Sequence, residues 1–313
     1  MLGLGLSLLT GGALRPYYAV VAAAFKDRVE ADGGTVESMS CLKADLKVLN
    51  PVKPPAFTGL LNDYSGAAAA YSLRLLDNTY TGDAIVVTTN GSDSASIGFV
   101  NNELDTASLE AFAGGGDAYV TTWYDQSGNG NNATQTTFSD MAKIVSNGST
   151  ILVNGKAGFL MTSTTSAYIN TTPIVAQSVF SVTKSDAFQT INYIAFQTSG
   201  TKGLFNGGSV SNAQGTGVYD GSGYFTLNNE SLTQRLDYWN HNGTDYECAL
   251  NGDSAVSVGT ITRLDSIDKL FGRQQFSLFL NGKAQEIIFY ATDNSANKSG
   301  IETNINTYYN IYP

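Results

Sequence analysis

From residue 58 onward the chain is broken into short β-forming runs separated by glycine- and asparagine-rich turns, with almost no helical period between them. Residues 84–88, 118–124, 178–183 and 193–196 are rich in β-branched and aromatic types, whose stiff side chains pack well on a pleated surface. Residues 246–250, 276–280 and 285–290 read the same way, and Asn-Gly closes three runs, at Asn90-Gly91, Asn251-Gly252 and Asn281-Gly282. Asn-Gly accepts the positive φ that a tight hairpin turn requires. Many strands joined by such turns, without crossover helices, favour antiparallel pairing in two packed sheets. Helical period is expected only over 106–112 and 295–308 in this region. No repeat and no heptad pattern is present, which argues against a fibrous shaft.

A break precedes the β-rich region. Pro51, Pro54 and Pro55 fall within five residues and are half of the chain's six prolines. Proline fixes φ and removes an N–H, so 51–57 reads as an extended linker. Upstream, Tyr18, Val21, Ala22, Phe25 and Val29 follow helical spacing until Asp32-Gly33-Gly34 stops it, since glycine supplies the left-handed terminal conformation. Thr35 can cap a second helix carrying Val36, Met39, Leu42 and Leu46. So small a helical hairpin cannot hold a core alone, and it calls for a partner surface. The first thirteen residues alternate leucine with glycine, lack a basic stretch and are too short to span a bilayer. They read as an arm that orders on docking. The expected organisation is an arm and anchoring helical hairpin over 1–50, a linker over 51–57 and a sandwich over 58–313.

Charge narrows the function. Only 14% of residues are charged, with a net charge of −10, and no cluster of Lys and Arg offers a phosphate backbone a landing strip. Nucleic acid is therefore excluded as a partner, and a polyanionic glycan is disfavoured for want of a basic patch. Cys41 and Cys248 stand alone in segments of different character, which favours two small buried side chains over a disulfide framework. The single histidine, His241, lies in the polar run Asn240-His241-Asn242-Gly243. It reads as part of an exposed turn rather than as a catalytic base.

Two sets of residues carry a resemblance. Residues 70–76, Tyr80-Thr81-Gly82, Leu104-Asp105-Thr106, Gly116-Asp117 and the run from Val120 through Trp123-Tyr124-Asp125-Gln126-Ser127-Gly128-Asn129-Gly130 resemble, in order, the start of the catalytic domain of family 54 α-L-arabinofuranosidases. The Asp125-Gln126-Ser127-Gly128-Asn129 turn is also similar to one common in laminin-G-like domains. Residues 279–290, followed by the polar Asn297-Lys298-Ser299-Gly300-Ile301-Glu302 stretch, resemble the closing strand and helix of that fold. Together these runs cover about half of residues 58–313. The resemblance implies a mainly β fold, an antiparallel jelly-roll β-sandwich of the concanavalin-A or laminin-G kind, behind the N-terminal helical hairpin. The arm together with residues 25–35 resembles the start of structural proteins from phages of Bacteroidetes-type hosts.

Three chemistries compete with structural roles for the polar and aromatic residues. A retaining glycosidase needs two carboxylates about 5 Å apart on one face. Sandwich glucanases achieve this with alternate carboxylates along one strand, and that pattern is absent. Asp237 and Glu247 are the pair that could converge across a hairpin, whereas Glu286 is expected to pair structurally at a sheet end. Asp125, Ser127 and Asn129 could contribute oxygens to a Ca²⁺ ion, or Asp125 and Ser127 could cap a tight turn. Trp239, Tyr238, Asp237, His241 and Tyr224 could bind carbohydrate, with Tyr219 and Phe225 nearby, through aromatic faces on sugar rings and polar groups on hydroxyls. The alternative is that strand aromatics fill the core, as is expected of Trp123.

The resulting expectation is a phage virion surface protein, a head-fibre, decoration or tail-associated subunit. Residues 1–50 would contact other virion proteins and form a homo-oligomer such as a trimer, and the sandwich would face host glycans or mucus. The alternatives are a secreted glycoside hydrolase of arabinofuranosidase-like type and a purely architectural sandwich without a ligand. No cofactor is required beyond the Ca²⁺ that the Asp125 turn could take.

Overall fold

The computed structural model describes residues 57–161, 168–187, 191–199, 201–208, 215–273 and 278–313. The arm, the two N-terminal helices, Cys41 and all of the linker except Phe57 lie outside the described residues. Those from Phe57 onward belong to one compact unit, Phe57–Pro313.

Along that unit the principal strands are β1 (Ala67–Ser72), β2 (Ile85–Thr88), β3 (Ala95–Ile97), β4 (Ala118–Trp123), β5 (Ala133–Thr134) and β6 (Ala142–Ser146). They continue with β7 (Ile169–Ile174), β8 (Ser178–Ser185), β9 (Tyr193–Gln197), β10 (Lys202–Asn206), β11 (Thr216–Tyr219) and β12 (Tyr224–Thr226). The last five are β13 (Gln234–His241), β14 (Asp245–Leu250), β15 (Val256–Thr260), β16 (Ile267–Leu270) and β17 (Gly282–Tyr290). The helices are α1 (Leu60–Asp63), α2 (Thr106–Ala113) and α3 (Lys298–Tyr309). The expected strands and both expected helices are present where they are described, α2 being N-capped by Asp105, whose carboxylate accepts the Ser108 N–H.

Antiparallel pairing gives two layers. A back sheet runs in the order β15–β14–β13–β8–β17–β1. A front sheet runs β3–β2–β4–β5–β7–β16–β9–β10–β11–β12, with β6 also on β4. The short strand Phe159–Met161 joins them, pairing with β17 on one side and with Lys143 of β6 on the other. Asn90-Gly91 lies in the β2–β3 hairpin and Asn251-Gly252 in the β14–β15 hairpin, as their sequence predicts. Asn281-Gly282 differs. The strand before it, Leu278–Phe279, pairs with Gly272–Arg273 instead of folding back on β17. Its turn therefore passes the chain between two pairings.

The main core lies between the sheets, where Trp123 packs edge-on against Phe159 with centroids 4.6 Å apart. Trp123 is fully buried, as expected. A second apolar layer covers the outer face of the back sheet. There Ile301, Ile305 and Tyr309 of α3 pack on Phe180, Leu236, Tyr238 and Ile288. Both faces of the central back strands are thus closed to water, and this decides the fate of several candidate site residues.

Candidate functional site

Asp237, Tyr238, Trp239 and His241 all belong to β13, whose eight residues are all buried. This corrects the expectation that His241 lies in an exposed turn and that Asp237, Tyr238 and Trp239 are open to a sugar. The strand's period of two sorts them: Leu236 and Tyr238 pack under α3, while Trp239 points into the main core. The Trp239 indole is fully buried and donates to the Gly217 carbonyl of the front sheet at 2.9 Å. His241 Nε2 meets the Ile261 carbonyl at 2.9 Å, and its ring packs edge-on against Tyr246. None of these rings offers a face to a sugar. The local wealth of Asn and Gly misleads because β13 is flanked by β8 and β14 and covered on both faces.

Asp237 sits in a sealed polar cluster. Its carboxylate accepts Arg235 Nε at 2.8 and 3.0 Å, Asn206 Nδ2 at 3.0 Å and Thr216 Oγ1 at 2.5 Å. Glu247 cannot join it. Asp237 pairs with Leu250 and Asn240 with Glu247, so the two carboxylates are an odd number of positions apart and face opposite sides of the sheet. Glu247 accepts from Asn242 Nδ2 at 2.9 Å instead. The paired-carboxylate arrangement considered for Asp237 and Glu247 does not form. Glu286 is structural, as expected: it takes Arg74 through Nε at 2.8 Å and Nη2 at 3.0 Å, Ser72 Oγ at 2.7 Å and Tyr309 O–H at 3.2 Å. That knot ties β1, β17 and α3 together.

The Asp125 turn is fully engaged by the chain itself. Asp125 Oδ1 accepts the N–H groups of Ala70 and Ser127 at 2.8 and 2.9 Å, and Oδ2 accepts Ser127 Oγ and the Asn131 N–H at 2.8 and 3.0 Å. Asn129 Nδ2 donates to the Ala67 and Ala68 carbonyls. Each carboxylate oxygen thus has two donors, and an oxygen already facing two donors has no lone pair directed at a cation. The Ca²⁺ reading of Asp125, Ser127 and Asn129 is corrected to turn capping, with the turn stitched to β1. Among the described residues no group of three His, Cys, Asp or Glu side chains could hold a metal ion.

The outer face of the front sheet is different. One register row crosses six strands: Asn170 pairs with Lys269, Lys269 with Phe196, Phe196 with Gly203, Gly203 with Tyr219, and Tyr219 with Tyr224. At an inter-strand spacing of about 4.8 Å the row is about 24 Å long. Tyr193, Phe196 and Phe205 are buried and form a small core of their own, on which Tyr219 and Tyr224 pack in a chain of ring contacts from Tyr193–Phe196 at 5.2 Å to Tyr219–Tyr224 at 4.7 Å. Glycine makes this possible. A Cβ on Gly203 would stand 2.7 Å from the Tyr193 ring, and one on Gly217 2.6 Å from the Phe205 ring. Tyr219 and Tyr224 are half-buried, and the Tyr219 hydroxyl donates to the Gly221 carbonyl at 2.8 Å. At the polar end, Lys269 Nζ donates to Asn170 Oδ1 at 2.8 Å. Of the five sugar-binding candidates, Tyr224 alone reaches this face. Phe225, its neighbour, turns inward to the main core.

No protein-family model and no curated protein sequence matches the chain. Solved structures do. A family 54 α-L-arabinofuranosidase soaked with a cyclic sulfate inhibitor superposes with a TM-score of 0.59 at 16% identity, over 76% of this chain and 62% of that one. An arabinofuranosidase complexed with arabinofuranosyl-α-1,2-xylobiose gives the same score and coverage at 14% identity. This chain therefore matches less than two thirds of those enzymes' length, and the likeness at such identities is one of fold: residues 57–313 form a β-sandwich similar to that of the arabinofuranosidases.

Proposed function

We propose that the sandwich is a non-catalytic glycan-binding domain of a phage surface protein, with residues 1–50 anchoring and oligomerising it. The observation that carries this reading is the register row from Asn170 to Tyr224. Its aromatic end presents the part-exposed rings of Tyr219 and Tyr224, which suit the apolar faces of pyranose rings, supported from behind by the buried Tyr193, Phe196 and Phe205, and its other end offers the Asn170 amide and Lys269 ammonium for hydroxyls. The separation of Asp237 from Glu247 supports binding over hydrolysis. One fold neighbour is complexed with arabinofuranosyl xylobiose, which makes neutral arabinose- and xylose-containing polysaccharides the first ligands to try. Weak single sites gain strength when several copies act together, which is the role assigned to the N-terminal segment.

The test is retention of the full-length protein on immobilised arabinoxylan, arabinan and mucin, with released sugars measured in the same tubes. Retention without release is the expected result. Release of sugar would replace this reading with a hydrolase, and neither retention nor release would leave an architectural sandwich. A parallel light-scattering comparison of the full chain with a variant lacking residues 1–50 should show an oligomer and a monomer. An oligomeric truncation would remove the anchoring role.

A further inference from the structure

Lys184 and Lys283 are direct cross-strand partners on β8 and β17. Like charges in that relation repel and weaken a sheet, so the pair needs a reason. A β-bulge creates it. Val182 pairs with Glu286 and Thr183 with Ala284, leaving Gln285 as the extra residue. Glu286, Ile288 and Tyr290 face the α3 side, and strict alternation would carry Gly282 and Ala284 to that side with them. The extra residue shifts the phase, so Ala284 joins the main core and Lys283 emerges beside Lys184. Bulges recur next to functional sites because they re-aim a side chain in this way.

One carboxylate serves both ammonium groups. Lys184 Nζ donates to Asp186 Oδ1 at 2.9 Å and Lys283 Nζ to Asp186 Oδ2. That leaves one positive charge unmatched, on groups with three donors each. The two lysines help line an open groove of about 510 Å³, within the roughly 300–1,000 Å³ usual for ligand clefts. Gln234, the cross-strand neighbour of Lys184, lines it too, along with Asn154, Leu152 and Leu232. Its amides are fixed in advance. Asn154 Nδ2 donates to Gln234 Oε1 at 2.5 Å, Gln234 Nε2 donates to Gln285 Oε1, and Gln285 Nε2 donates to the Lys156 and Ala157 carbonyls at 3.1 Å. The bulge residue thus aims a lysine and also braces the groove's polar wall.

We propose that this groove binds a single carboxylated sugar unit of the uronic-acid type. Its carboxylate completes the charge balance of Lys184 and Lys283. Its hydroxyls meet the Asn154 and Gln234 amides, and its apolar ring face lies against Leu152 and Leu232. One local positive charge on a molecule of net charge −10 admits an isolated carboxylate while the surrounding field disfavours a dense polyanion. The groove lies on the outer face of the back sheet, apart from the aromatic row, and does not depend on it.

The experiment is an amide-shift NMR titration of the full-length protein with galacturonate, galactose and inorganic phosphate at matched ionic strength. Galacturonate should shift the amides around residues 184, 234 and 283, with galactose and phosphate at least about tenfold weaker. Equal binding of phosphate would reduce the groove to a bare anion site, and no response to galacturonate would sink the proposal outright. Lys184→Gln and Lys283→Gln should each abolish the response while the melting temperature holds or rises, because each removes a like-charge neighbour. Unchanged galacturonate binding in either variant would overturn the proposal. Tyr224→Ala should keep galacturonate binding, which separates this groove from the aromatic row.

Discussion

Arg235 and Asp237, two residues apart on β13, form an ion pair from which water is wholly excluded, with Arg235 Nη2 2.5 Å from Asp237 Oδ1 and both side chains 0% exposed. The strand's period of two puts them side by side. Asn206 and Thr216 of the front sheet close the pair from the other layer. Removing one partner leaves an uncompensated buried charge, which typically costs about 3–5 kcal/mol, whereas replacing both with apolar groups costs far less. Asp237→Ala should therefore lower stability in urea by about that amount, and Arg235→Met with Asp237→Leu by much less. A folded, fully stable Asp237→Ala protein that had lost ligand binding would instead give this carboxylate a functional role.

Asp125 predicts a loss of stability that calcium does not touch. Asp125→Ala frees the Ala70, Ser127 and Asn131 N–H groups, and an unmet buried donor costs about 1–3 kcal/mol. The melting temperature of the unaltered protein should be the same in millimolar Ca²⁺ and in chelator. A calcium-dependent rise abolished by the substitution would restore the metal reading.

The β2–β3 turn should titrate unusually low. Thr89 and Thr88 hydroxyls and the Thr89 N–H all donate to Asp93, and these bonds hold its carboxyl down at about 2 against an ordinary 3.8. The folded value lies below the unfolded one, so the contribution is complete above about pH 3.8 and fades as pH falls through about 2. A carboxyl-carbon NMR titration should find that low midpoint, which Thr89→Val should raise. An ordinary midpoint would mean the turn does not hold in solution.

Cys248 should be silent to thiol reagents in the folded protein. Burial pushes its thiol well above the ordinary value, and the nearby Asp237 and Glu247 carboxylates act in the same direction; the thiolate is the reactive form. It should react with a disulfide reagent only after denaturation. Rapid labelling of the native protein at Cys248 would show that the β13–β14 pairing opens readily.

On the front face, Tyr224→Ala should weaken polysaccharide retention several-fold, on the order of 1 kcal/mol for one aromatic contact, with the melting temperature nearly unchanged because Tyr224 is only half-buried. Trp239→Ala should instead unfold or strongly destabilise the sandwich, at about 3–5 kcal/mol. Equal effects of the two on retention at equal stability would place the binding surface elsewhere.

Much of the scaffold was written locally. The β-branched runs, the Asn90-Gly91 and Asn251-Gly252 turns and the Asp105-capped helix each depend on neighbours within a few residues. Short-range propensity and hydrogen bonding were therefore enough to place them. Glu286 and Trp123 were also legible, one because a lone carboxylate in an apolar strand needs a cation, the other because an aromatic in an alternating strand fills a core. Tertiary structure alone decided the exposure of β13, since the polar look of 234–241 comes from residues that bond across the interior to Asn206, Thr216 and Gly217. It alone decided that Asp237 and Glu247 face apart, because that rests on the β13–β14 register. The row from Asn170 to Tyr224 and the Lys184–Lys283 pair likewise exist only once sheet register, and in the second case a single bulged residue, bring distant positions side by side.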